Sequence, residues 1–198
     1  MKAVTVYCSS STYLDPAFHG PAKRLGAELA KREITLVYGG GGIGLMGELA
    51  RSAKAAGGRI VGAITRSLYD KEQGYDDCDE LIIVGTMQER KRIMMDRGEG
   101  FLILPGGVGT YEEFFEVRAG RIVGEHVRPI GVVNTGGYYD PLVELLRHGV
   151  EHKFIRPAVL DELLQIGSEP EEVLADLITA EQKELDHRTF MPMGGGKL

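Results

Sequence analysis

Thr35-Leu36-Val37-Tyr38-Gly39-Gly40-Gly41-Gly42-Ile43-Gly44-Leu45-Met46-Gly47-Glu48-Leu49-Ala50 decides the fold class. A short apolar run, Thr35 to Tyr38, stops at four consecutive glycines. Helical spacing then runs from Leu45 to Ala56 and ends at Gly57-Gly58. A second apolar run follows from Arg59 to Ile64. Strand, helix and strand joined by short glycine turns are the unit of a parallel sheet.

The same alternation extends both ways along the chain. Upstream, Ala3 to Tyr7 reads as a strand and Pro16 to Arg32 as a helix with Ala17, Leu25, Leu29 and Ala30 on its apolar side. Downstream, strands are expected at Leu81–Val84, Phe101–Leu104, Pro129–Val133 and Leu163–Ile166. Helices are expected at Thr86–Arg97, about Thr110–Gly124, Asp140–His152 and Pro170–Thr179. Residues 65–79 carry Asp70, Lys71, Glu72, Gln73, Asp76, Asp77 and Asp79, so a mobile loop is expected there. Helices on both faces of a mostly parallel sheet make a doubly wound, three-layer αβα architecture. Such sheets bind ligands outside the carboxyl ends of their strands. One domain over residues 1–185 is expected, with a disordered tail at 186–198.

The composition narrows the function. The chain has 198 residues, 43% hydrophobic and 26% charged, as in ordinary globular proteins. Its 28 glycines are about twice the usual share of ~7% and lie beside predicted strands, where they let backbone approach a ligand. A net charge of −6 argues against nucleic-acid binding, which needs a clustered positive face. The N-terminal apolar run is too short for a signal sequence, and no run spans a membrane, so the cytoplasm is the expected location. Cys8 and Cys78 make no disulfide framework and read as small buried hydrophobes. His148 and His152 are four apart, but on a helix that reads as exposed and without a helpful acid. No metal and no cofactor are expected.

Two glycine loops fall at strand ends. Gly42, Gly44 and Gly47 fit the spacing of a pyrophosphate-binding turn, with Gly40 and Gly41 inside the run. Tight strand–helix packing explains the same glycines. A nicotinamide-dependent dehydrogenase is disfavoured, since the strand ending at Ile64 leads into Thr65-Arg66 with no acidic residue for a ribose hydroxyl. The second loop is Leu104-Pro105-Gly106-Gly107-Val108-Gly109-Thr110-Tyr111-Glu112-Glu113. Its amides and the following helix dipole suit an anion. Thr110-x-x-Glu113 also fits a capping box, with both acids in the first helical turn.

On the third helix, Met87, Arg90, Lys91 and Met94 share one face, so two cations interrupt an apolar stripe. Arg90 is a candidate phosphate ligand through its bidentate fork. The competing reading is that it snorkels over the core edge or pairs with Glu89 or Asp96. Amides, a guanidinium and a carboxylate along one sheet edge suit a nucleotide whose N-glycosidic bond breaks through an oxocarbenium-like transition state. Arginine is too basic to be the general acid.

Pro105-Gly106-Gly107-Val108-Gly109-Thr110-Tyr111-Glu112-Glu113 resembles the PGGxGTxxE motif of the LONELY GUY (LOG) family, cytokinin riboside 5′-monophosphate phosphoribohydrolases often labelled lysine decarboxylase-like. Gly39-Gly40-Gly41, Gly44-Leu45-Met46-Gly47, Met87-x-x-Arg90-Lys91 and Gly137-Tyr138-Tyr139-Asp140-Pro141-Leu142 extend the resemblance over roughly residues 2–180. It implies a Rossmann-like fold, a homodimer with the site at its interface, and hydrolysis of N6-modified AMP to base and ribose 5-phosphate, with AMP itself a further candidate. It implies catalytic roles for Arg90 and Glu113. Substrate-binding positions fall on Glu72, Lys91, Gly40, Gly41 and on Gly106, Gly107, Val108, Gly109, Thr110, Tyr111 and Glu112. Plant members differ at Gln88, at Gly42 and at Arg118-Ala119-Gly120, the last a candidate part of the base pocket or the dimer helix. The alternative is a non-catalytic nucleotide or cofactor carrier of the molybdenum-cofactor type, which needs neither Arg90 nor Glu113. No lysine sits in a pyridoxal phosphate setting, so the decarboxylase label has no chemical support.

Overall fold

The computed structural model describes residues 1–72, 74–161 and 165–182, with the side chains of 72 and 161 also outside the description. The tail expected from 186 onward lies outside the described residues. Seven strands, β1 (Ala3–Tyr7), β2 (Thr35–Tyr38), β3 (Ile60–Thr65), β4 (Glu80–Val84), β5 (Phe101–Ile103), β6 (Ile130–Val133) and β7 (Gln165–Gly167), form one sheet in the order β4-β3-β2-β1-β5-β6-β7. Every pairing is parallel. Winding reverses between β1 and β5, whose register pairs Val6 with Leu102 while Val6 also faces Tyr38 of β2. The carboxyl ends of β1, β2 and β5 therefore lie side by side at the topological switch point, where such sheets open a crevice.

The helices are α1 (His19–Lys31), α2 (Gly44–Ala55), α3 (Arg66–Glu72), α4 (Met87–Arg97), α5 (Val108–Val123), α6 (Asp140–Glu151), α7 (Pro157–Asp161) and α8 (Pro170–Thr179). Successive strand side chains point to opposite faces, and the core divides accordingly. Val4, Val6, Leu36 and Leu102 pack with Leu25, Leu45, Leu49 and Val173 of α1, α2 and α8. Tyr7, Phe101, Ile103 and Val132 pack with Met94, Phe114 and Val117 of α4 and α5. Truncating a fully buried member such as Phe101 to alanine costs about 3–5 kcal/mol. This is the three-layer, single-sheet α/β fold expected from the alternation.

Four local expectations need correction. Residues 65–79 are not all loop, because α3 takes Arg66 to Glu72; the acidic residues hid the partly buried Leu68 and Tyr69. Pro16–Phe18 is a 3-10 turn capped by Asp15, and α1 starts only at His19. α7 was not anticipated. α5 begins at Val108, with Gly107 as its N-cap and no side-chain cap, so Thr110 and Glu113 form no capping box and the acids lie beyond the first turn. The capping box belongs to α4, where Thr86 Oγ1 accepts from Glu89 N–H at 3.2 Å and Glu89 Oε2 accepts from Thr86 N–H at 3.0 Å.

Candidate active site

That capping box removes one competitor for Arg90. Glu89 is engaged at the start of α4, and Asp96 takes Arg92 at 2.9 Å. Arg90, four residues into α4, turns inward to 5% exposure. Its Nε donates to Ala63 O at 3.0 Å and its Nη2 to Gly39 O at 3.5 Å. Its Nη1 donates to Glu113 Oε1 at 2.9 Å and to Met87 Sδ at 3.4 Å. The expected snorkelling and the local pairings are therefore not what holds Arg90. The carbonyls of Gly39, just after β2, and of Ala63, within β3, and one carboxylate from α5 fix its fork. A guanidinium committed in this way is not an open phosphate clamp; it aims Glu113.

The first glycine loop is shaped by this arrangement. A Cβ at Gly39 would lie 2.1 Å from Arg90 Nη2. Gly40 O accepts from Tyr75 N–H at 3.0 Å, and Gly41 bridges Gly74. Gly44 has φ +58, and a Cβ there would fall 2.5 Å from the Ser10 carbonyl carbon. Only glycine suits both that backbone and that approach. Met46 N–H donates to Ser9 O at 3.2 Å, tying α2 to the loop after β1.

Glu113 is also 5% exposed. Burial pushes its carboxyl up to about 7, against the opposing pull of Arg90. It shares a cavity of about 380 Å³ with Arg90, Cys8, Ser9, Ser10, Ser11, Met46, Leu68, Met87 and the turn Gly107-Val108-Gly109-Thr110. The first intrahelical bond of α5 runs from Tyr111 N–H to Gly107 O at 3.0 Å, so the amides of Val108, Gly109 and Thr110 precede it. An anion at that end also meets the positive pole of a 16-residue helix.

The other anticipated residues distribute around this centre. Lys91 turns to Glu112 and to Glu116, the latter at 3.1 Å. Burial works against its charge, but those carboxylates outweigh it and raise its pKa. Neither Lys91 nor Glu112 lines the cavity, and neither do Gly40 and Gly41, which are buried beneath the 74–75 segment. Gly106 lies on the far side of its loop, lining a smaller cavity with Ser9, Ser11, Gly107 and Tyr138. Tyr111 lines an aromatic cavity with Phe115, Tyr138 and Tyr139. Glu72 ends α3, and its side chain lies outside the described residues. The serine run after β1, with Met46 and Leu68, was missed. The signal for the serines was available, since small hydroxyl residues follow the central strand at its carboxyl end. Leu68 was lost with the helix that carries it. Among the described residues no group of three metal-ligating side chains occurs.

The family described as "Possible lysine decarboxylase" matches residues 46–177. A probable cytokinin riboside 5′-monophosphate phosphoribohydrolase of Oryza sativa subsp. japonica is 41% identical over 157 residues, 79% of this chain and 69% of that protein. A cytokinin riboside 5′-monophosphate phosphoribohydrolase of Mycobacterium tuberculosis is 38% identical over 165 residues, 83% and 88% of the two chains. The chain belongs to the LOG family. A molybdenum cofactor carrier protein of Chlamydomonas reinhardtii superposes with a TM-score of 0.68, covering 90% of this chain and 99% of that one, at 18% identity. That likeness shows the fold that LOG proteins share with carriers, and no more.

The positions at which a difference from plant members is expected, Gln88, Gly42 and Arg118, do not line the Arg90–Glu113 cavity. Gln88 is exposed on α4. Gly42 O accepts from Arg51 at 2.8 Å. Arg118, a candidate for the base pocket, is buried under α7 and donates to Val159 O at 2.7 Å. It lines a separate cavity of about 200 Å³ with Phe115, Ile122 and Phe154.

Proposed function

We propose that this chain hydrolyses the N-glycosidic bond of N6-modified adenosine 5′-monophosphates, cytokinin ribotides foremost, releasing free base and ribose 5-phosphate. The buried Arg90–Glu113 pair, sharing one cavity with the N-terminal turn of α5, carries the reading. In it the phosphate sits against the amides of that turn, and the ribose lies towards Glu113. Arg90 holds Oε1, which leaves Oε2 to face the anomeric carbon. The glycosidic C–N bond breaks with its electron pair leaving on the base. The ionised carboxylate stabilises the oxocarbenium ion and takes a proton from the attacking water, and that proton then neutralises the departed base. Water exclusion strengthens both effects, because charges interact more strongly where solvent is absent. Arg90 keeps the carboxylate oriented and favours its ionised form.

The same reading makes residues 1–185 one catalytic domain and gives Gly107, Val108, Gly109 and Thr110 to phosphate binding, with Gly106, Tyr111, Glu112, Lys91, Gly40 and Gly41 supporting the walls around them and Glu72 added from the end of α3. It also includes a homodimer and a cytoplasmic location. Exposed apolar side chains near α5 support the homodimer: Val108, Phe115, Leu145 and Phe154. No helix among the described residues is long and apolar enough to cross a membrane.

The test is incubation with N6-isopentenyl-AMP and with AMP, followed by chromatography for free base. Base from the first substrate, lost in Arg90→Ala and Glu113→Gln, is the expected result. No base from either nucleotide, with the protein folded, overturns it.

A further inference from the structure

Two consecutive aromatic residues on a neighbouring loop hold two carbonyls at the PGG turn. Tyr138 Oη donates to Gly106 O at 2.6 Å. Tyr139 Oη donates to Leu104 O at 2.7 Å. A tyrosine hydroxyl has one proton, and that of Tyr138 goes to a carbonyl. The 2.7 Å bond between Tyr138 and Tyr111 is therefore donated by Tyr111. Tyr111 thus serves the clamp and has no proton to offer a substrate while the chain of hydroxyls is intact.

The loop after β6 is built for this reach. Gly136 and Gly137 both have positive φ, +61 and +75. They turn the chain so that Asn134 Oδ1 accepts from Tyr139 N–H at 2.6 Å and both phenols face β5. The Tyr138 ring meets Phe18 and Tyr139 edge-on. Burial pushes the Tyr138 hydroxyl up to about 12, so it remains a donor across the neutral range.

A trans peptide points its C=O and the next N–H in opposite directions, and no cis bond occurs among the described residues. Holding Gly106 O on Tyr138 therefore turns Gly107 N–H away from Tyr138. Gly107 lines both the Arg90–Glu113 cavity and the small cavity that Tyr138 closes. We infer that Tyr138 is a positioning residue: through Gly106 it sets the orientation of the Gly106–Gly107 peptide, and with it the Gly107 N–H that receives the anionic group of the ligand. The inference rests on the proposed function for the identity of that group as a nucleotide 5′-phosphate.

Tyr138→Phe removes the hydroxyl and keeps the ring contacts. Ribose 5-phosphate binding, read by calorimetry, is expected to weaken about 10-fold, and KM for N6-isopentenyl-AMP to rise by about the same factor with kcat within about twofold. A merely structural role would lower thermal stability without that split. In a nitrogen-15 spectrum of the unsubstituted protein, the Gly107 amide should move on adding ribose 5-phosphate, and in Tyr138→Phe it should move less at the same concentration. An unmoved Gly107 amide in the unsubstituted protein overturns the inference, as does ribose 5-phosphate affinity within twofold in the variant or a loss confined to kcat. If the unsubstituted protein binds ribose 5-phosphate at Gly107 but releases no base, the hydrolase reading fails and the positioning role stands.

Discussion

Arg90 Nη1 and Glu113 Oε1 lie 2.9 Å apart, both side chains almost sealed from solvent, although 23 residues separate them in the chain. The cation is fastened to the sheet through Ala63 O, so the carboxylate is held against a rigid anchor. Activity and stability should both respond to the protonation of Glu113.

The rate should follow the ionised fraction of that carboxyl. Since burial brings it to about 7, kcat/KM for N6-isopentenyl-AMP is expected to rise with pH along a limb of unit slope and level off above that value. Glu113→Gln is expected to lose base release by a factor of about 10³ or more. A pH–rate profile flat from 5 to 8 would contradict the assignment of Glu113 as the ionising group.

Folding linkage gives an independent reading of the same proton. The native state binds it more tightly than the unfolded chain, whose glutamates titrate near 4.3. This contribution to stability is full below that value, falls as pH rises through about 7, and is constant above. Urea unfolding at pH 5 and pH 8 should therefore show the unsubstituted protein losing about 2–3 kcal/mol relative to Glu113→Gln across that interval. Other titrating groups are common to both proteins and cancel in the difference. An unchanged gap would place Glu113 at an ordinary carboxylate value.

Gly39→Ala should separate folding from chemistry. The new methyl would overlap Arg90 Nη2 and press on Met46, which are side-chain ends able to shift. The protein should fold, with the guanidinium displaced from Gly39 O and base release reduced about 10²-fold. A crystal structure of the variant with Arg90 unmoved, or full activity, would refute this account of the glycine.

Arg118 offers the opposite case. It is buried, has no carboxylate partner among the described residues, and leaves Nη1 without a hydrogen bond while Nη2 reaches Val159 O. Burial lowers its pKa to about 10. Methionine has similar length and no charge to desolvate, so Arg118→Met should unfold within about 1 kcal/mol of the unsubstituted protein, in contrast to a typical buried charge removed from its partner. A loss of 3 kcal/mol or more by urea titration would show that the Val159 contact is worth far more than one hydrogen bond.

The fold was legible because parallel strands buried on both faces read as short apolar runs, and glycine turns marked their carboxyl ends. The site was legible in part. Arg90 stood out as a cation on an apolar stripe, but its true partner lay on another helix, and spacing along one helix cannot report that pairing. Glu113 fitted a capping box by spacing alone; the helix starts two residues earlier than Thr110, and this moved the acid inward. α3 was hidden because its exposed face carries the charge that suggested a loop. The tyrosine clamp on Gly106 was invisible for the same reason as the ion pair, since it joins loops after β5 and β6 that meet only through sheet order.

A carboxyl balanced between its two protonation states makes ligand binding a proton-exchange event. A positively charged iminosugar, resembling the ribosyl cation, would favour ionised Glu113 and expel its proton into the medium. Near pH 7 the heat of that association should then vary with the ionisation enthalpy of the buffer, whereas a neutral ribose analogue should give the same heat in phosphate and in Tris.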